Sequence, residues 1–185
     1  MEKSEEKNNK KVNTIRWVIE ISIISFILSI IFSYISTTAI DKISIIPAVL
    51  ILLLVIVIGA VFDIVAMAVT IADENEFHAK ATKKAPGAKK AIKLIRKAPK
   101  VSTICADVVG DICGVLSGTI SAIIAVKIES AFGLKFNLEF IIAALVTSLT
   151  VASKAIGKEV AKKYSAKVVD IVAKILEGAR YSKNK

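Results

Sequence analysis

Apolar and polar positions along this chain are sorted into blocks rather than interleaved. Four stretches, Trp17 to Thr37, Ile45 to Ala72, Val101 to Val126 and Leu138 to Ser153, are almost continuous Ile, Val, Leu and Ala. A helix rises about 1.5 Å per residue, so about 20 apolar residues cross about 30 Å of hydrocarbon. The first three blocks exceed that length. The fourth, 16 residues long, reaches it if extended through Lys154 to Gly157, with the lysine ammonium snorkelling or turned into the bundle. The pattern predicts an all-α, polytopic integral membrane helical bundle of four spans.

The polar blocks carry a second pattern. Pro86-Gly87 interrupts the segment between the second and third spans, and Pro99 marks the start of the third. Two short juxtamembrane belt helices are expected there. In the second, Ala88, Ala91, Ile92 and Ile95 share one face, with Lys89, Lys90, Lys93, Arg96 and Lys97 around the others. That is the pattern of a helix lying on an anionic lipid surface. From Lys158 to Gly178, Val160, Tyr164, Val168, Ile171 and Ile175 recur at three- and four-residue steps among Lys162, Lys163, Lys167 and Lys174. A C-terminal amphipathic helix ending near Gly178 follows, its apolar face suited to lipid or to a second copy of the chain. The expected division is a cytoplasmic tail over 1–14, an additional N-terminal transmembrane helix over 15–37, a transmembrane domain over 45–178 with its belt at 73–100, and a tail over 179–185.

Composition agrees with that reading. Of 185 residues 55% are apolar, the mean hydropathy is +0.66 and the formal charge is +10, whereas soluble domains sit near 45–50% apolar. The N-terminal tail holds five Lys and Arg, the 73–100 connection nine and the stretch from Lys154 nine, against three in the other two connections. Cations stay on the cytoplasmic side, which places both termini in the cytoplasm of a multi-pass cell-membrane protein. A nucleic-acid partner is not expected, because the basic residues are not spread over a soluble fold with stacking aromatics. No small-residue cleavage site closes the first block, where Ser33-Tyr34-Ile35-Ser36 stands, so it reads as an uncleaved anchor. Cys105 and Cys113 lie inside the third block and suit small apolar packing. His78 has no second ligand at helical spacing. Without a nucleophile–base pair, a glycine-rich phosphate loop or a metal-spaced Cys/His set, the sequence does not read as an enzyme.

Four ionisable residues stand inside the spans: Asp63, Asp107, Asp111 and, near the cytoplasmic end of the fourth, Lys154. Each costs about 2.5–3.5 kcal/mol on insertion scales, and such residues usually face the bundle interior. On a helical wheel Asp107, Gly110, Asp111, Gly114, Gly118 and Ser121 form one stripe, and Gly110, Gly114 and Gly118 make two overlapping G-x-x-x-G units for close helix packing. Gly59, Asp63, Ala66 and Thr70 share a face of the second span, and Thr147, Thr150, Lys154 and Lys158 a face of the fourth. One polar seam among three helices is the simplest arrangement, with a homodimer through the small-residue faces. The aspartates offer hard oxygen ligands for Mg²⁺; equally, Lys154 could neutralise one of them and the cluster could only fix helix register.

The order of motifs resembles the transmembrane domain of the CNNM (cyclin M) and CorB/CorC magnesium transporters. Phe62-Asp63, the belt from Phe77-His78-Ala79-Lys80-Ala81 through Gly87-Ala88-Lys89-Lys90-Ala91-Ile92-Lys93-Leu94-Ile95, Val101-Ser102-Thr103-Ile104 with Asp107 and Asp111, and Thr147 followed by Ser153-Lys154-Ala155-Ile156-Gly157-Lys158-Glu159-Val160-Ala161 carry the likeness. The chain departs from that family where Ala66 and Lys154 replace glutamates and Gly157 replaces a proline, and the stretch after Lys158 is too short for the family's CBS pair. The resemblance implies a divalent-cation transport module moving Mg²⁺, with Asp63, Asp107 and Asp111 as ligands and Lys154 as counter-charge or gate. The alternative is a non-transporting accessory or partner-binding membrane protein that keeps the fold.

Overall fold

The structure, a computed structural model, describes the backbone of residues 2–133 and 137–183 and the side chains of 14–133 and 137–178. Lys135 and the last two residues of the C-terminal tail lie outside the described residues. The chain runs α1 (Glu2–Asp41), α2 (Ile45–Ile71), α3 (Glu74–Thr82), α4 (Ala88–Arg96), α5 (Ala98–Ser102), a π-helical segment (Thr103–Val109), α6 (Gly110–Phe132) and α7 (Glu139–Lys183), with no strand among the described residues. Four helical stretches, Thr14–Asp41, Ile45–Ile71, Ala98–Phe132 and Glu139–Gly178, are long and apolar enough to cross a membrane.

Two helices outrun the lengths expected from the sequence. α1 has 40 residues, about 60 Å at 1.5 Å per residue, and it begins inside the stretch expected to be a tail. α7 has 45 residues and merges the fourth span with the amphipathic segment, broken only at Tyr164 (φ −128°, ψ 26°). Gly178 does not end it. A glycine within a helix costs about 1 kcal/mol relative to Ala, which a helix of this length absorbs.

Packing is concentrated at the two ends of the bundle. At the far end, Ile40, Ala48, Leu52, Ile56, Ile120, Ile124 and Val146 form one buried cluster from α1, α2, α6 and α7. At the belt end, Ala68, Val69, Ala72, Phe77, Ala91, Ala161, Val169 and Ala173 form another. Between them the helices meet at two glycines. A methyl group added at Gly59 would lie 3.1 Å from Cys113 Cβ, and one at Gly157 would lie 2.9 Å from Ile64 Cγ1. These contacts bring α2 against α6 and α7.

Two short helices, α3 and α4, form between α2 and α5, but α4 does not turn its apolar face to a surface. Ala88 and Ala91 are buried, Ile92, Leu94 and Ile95 pack on the belt-end cluster, and the lysines point the other way. Gly87, at φ +83°, has no room for a side chain, since a Cβ would lie 3.2 Å from the Lys174 backbone nitrogen; its N–H donates to the Glu177 carboxylate. Asp73 caps α3 by accepting from the Asn75 N–H at 2.9 Å. Glu74 Oε1 lies 2.8 Å from Arg96 Nε and 2.8 Å from His78 Nε2, and the hydrogen bonds from Arg96 and then His78 hold its carboxyl below the usual carboxylate range. His78 is an exposed partner of Glu74.

The far end is closed by Lys127. Its Nζ donates to the carbonyls of Ile40 (2.6 Å), Asp41 (3.1 Å) and Ile43 (2.5 Å), placing a cation on the negative end of the α1 dipole. Hydrogen bonds to a charged group are worth about 1.5–3 kcal/mol. Lys127→Met is expected to lower stability by about 2 kcal/mol, measurable as a reduced melting temperature in detergent; an unchanged melting temperature would show that the clasp contributes nothing.

Candidate functional site

The entry to the third of the four long apolar helical stretches, Ala98–Phe132, is under-wound. Over Thr103–Val109 the backbone is π-helical, and the Gly110 N–H reaches back to the carbonyls of both Cys105 and Asp107. π-Segments inside α-helices recur at functional sites because the additional residue per turn re-aims the side chains that follow. Here the turn carries Asp107 and is followed at once by Asp111.

Both carboxylates stand on the exposed side of the helix, on a groove between α1 and the α6 rod. The groove has a volume of about 480 Å³ and is lined by Ser22, Ser25, Ser29 and Thr103 as well as by Asp107, Asp111 and the apolar side chains of both helices. Ser22 Oγ donates to the Val18 carbonyl at 2.8 Å, which leaves its lone pairs available. Toward the belt, Thr103 is shared with a second hollow of about 290 Å³ formed with Thr14, Trp17, Pro99 and Lys100. Lys100 Nζ sits 5.6 Å from the centroid of the Trp17 ring. A cation in the groove would be attracted by both carboxylates. Mg²⁺ in particular is commonly held by one or two carboxylates while keeping several waters, and the groove has room for both.

The other two charged positions lie elsewhere. Asp63 is half-buried in α2, and its Oδ2 is buried with no hydrogen-bond partner. Lys154 reaches α6 at Gly110, its Nζ 3.7 Å from where a Gly110 Cβ would be. Among the described residues no ion pair joins Asp63 to Lys154, and no three His, Cys, Asp or Glu side chains are grouped as a metal-ligand set. The single seam expected for Asp63, Asp107 and Asp111 is therefore two separate places. The reason lies in the third span: Gly110, Ser117 and Ser121 face inward, whereas Asp107, Asp111, Gly114 and Gly118 face outward. The six-residue stripe spans about 100° of an ideal wheel, and the buried side ends inside it: Gly110 and Ser121 lie at its inner edge, and Asp107, Asp111, Gly114 and Gly118 toward its outer edge.

No protein-family model, curated protein or solved structure matches the chain. The site rests on its own geometry. Of the glycines expected to pack helices, Gly110 does so against Lys154, while Gly114 and Gly118 have nothing within 4 Å of a built Cβ. The contributions not anticipated from the sequence are those of α1. Ser25, Ser29 and Ser33 stand four residues apart on its inner, partly covered face. That small-residue spacing is visible in the sequence, inside a block that is otherwise almost continuously apolar.

Proposed function

We propose that the chain is a divalent-cation transport module of the membrane, with Mg²⁺ as the cargo and Asp107 and Asp111 as the groups that meet it. The observation that carries this reading is the groove itself: two carboxylates and four hydroxyl side chains lining one cleft beside a π-helical turn, in a stretch long and apolar enough to span. The motif order resembling the CNNM and CorB/CorC transmembrane domain supports the same cargo. In this reading Asp63 is not a ligand, and Lys154 sets the charge of the inner packing rather than gating the groove. Both termini and the basic belt face the cytoplasm, and a second copy seats against the open Gly114 and Gly118 positions, where small residues allow close approach. The test is reconstitution of the full chain into vesicles holding a Mg²⁺-sensitive dye. Uptake faster than in protein-free vesicles is expected; equal rates would overturn the reading.

An accessory role without transport has one observation in its favour, the unpartnered Asp63 oxygen beside a lysine-bearing helix. It describes a chain whose inner polar groups hold the helices in register while the groove receives another protein. Equal uptake rates together with an intact dimer would favour it.

A further inference from the structure

The α7 arm beyond Tyr164 carries an apolar strip that no part of the described chain covers. Val169 and Ala173 on one side of the arm are fully buried against the belt. On the other side Ile171 is 57% exposed and Ile175 64% exposed, within about 40° of each other on the helix. Tyr164, 40% exposed, stands at the break in the helix, with Lys163 Nζ 5.4 Å and Lys167 Nζ 5.3 Å from its ring centroid. Lys174 flanks the strip on the same side as Lys167 and also pairs with Asp170 at 2.7 Å.

Three features narrow what covers this strip. The arm is continuous with a helix long and apolar enough to span, so a bilayer surface is adjacent to it by construction. Tyrosine and lysine at a helix break match the chemistry of the headgroup layer. The lysine row beside the strip would face its own kind in a second copy of the arm, whereas an anionic leaflet complements it. The geometry points to the arm lying on the membrane surface, with Ile171 and Ile175 dipped among acyl chains and Lys163, Lys167 and Lys174 on anionic phosphate headgroups. The lipid contact expected of α4 thus belongs to α7, because the apolar face of α4 is already packed. Each cation near such a surface contributes about fivefold in affinity. This proposal does not rest on the cation reading of the groove.

Ile171→Trp in the full chain reports the environment of the strip, read as the difference from the parent, which has one tryptophan. In bilayers mixing phosphatidylcholine and phosphatidylglycerol equally, the added emission is expected to be blue-shifted and to be quenched when the acyl chains are brominated. Replacing Lys163, Lys167 and Lys174 with Gln should reverse both effects, as should phosphatidylcholine alone. Red, unquenched emission in every bilayer would place the strip in water. Blue but unquenched emission would show that protein covers it. Quenching indifferent to lipid charge and to the lysines would remove the electrostatic part. Each of these three results overturns the proposal.

Discussion

Replacing Asp107 and Asp111 together by Asn is expected to slow Mg²⁺ uptake into vesicles by about tenfold or more, the loss typical when groups supporting a metal are removed. The substitution keeps side-chain volume, exchanges one acceptor oxygen of each carboxylate for an amide donor, and removes the two charges on the groove wall. Because both side chains are exposed to the groove and bear on neither buried cluster, melting behaviour should stay close to that of the parent. Asp63→Asn makes the contrast. Asp63 does not line the groove, so uptake should be unaffected. Stability should hold or rise, since the unpartnered buried position then carries a neutral amide, which costs less to desolvate than a charged group. If Asp63→Asn abolished uptake while the double variant did not, the site would lie between α2 and α6 instead.

Gly157→Leu is expected to give the largest loss of stability, about 2–3 kcal/mol, as over-packing of a close contact costs. Even the first added carbon would lie 2.9 Å from Ile64 Cγ1 and 3.3 Å from its Cδ1, with the Ala60 carbonyl 3.7 Å away. The helix propensity gained by losing glycine, about 1 kcal/mol at most, does not offset that. Ile64→Ala in the same chain should recover a good part of the loss. A double-mutant cycle with no coupling between the two positions would show that α2 and α7 do not meet there.

The four helices long and apolar enough to span were legible in the sequence because length and apolarity are enough to define them, and the two short helices α3 and α4 because Pro86, Gly87 and Pro99 punctuate them. Which face of each helix meets which neighbour was less so. Wheel positions assume about 100° per residue. They order the residues around α6 but do not say where the buried side ends, and the boundary falls inside the stripe, between Gly110 and Ser121 on one side and Asp107, Asp111, Gly114 and Gly118 on the other. The glycines that bring helices together, Gly59 and Gly157, stand singly, whereas the G-x-x-x-G repeat at Gly114 and Gly118 is open. Nothing local in the sequence shows that Lys127 reaches carbonyls at Ile40, Asp41 and Ile43, more than 80 residues away. The serines of α1 had a readable four-residue spacing, but their role appears only when α6 lies against them.

Thiol accessibility inside the groove tests most directly whether this cleft takes a hydrated cation. With Cys105 and Cys113 replaced by Ala and Ser25 by Cys, the full chain in vesicles should react with a small charged thiol reagent in Mg²⁺-free buffer and be protected by Mg²⁺. That protection should disappear when Asp107 and Asp111 are Asn. A groove that stays unreactive, or that reacts equally with and without Mg²⁺, would contradict it.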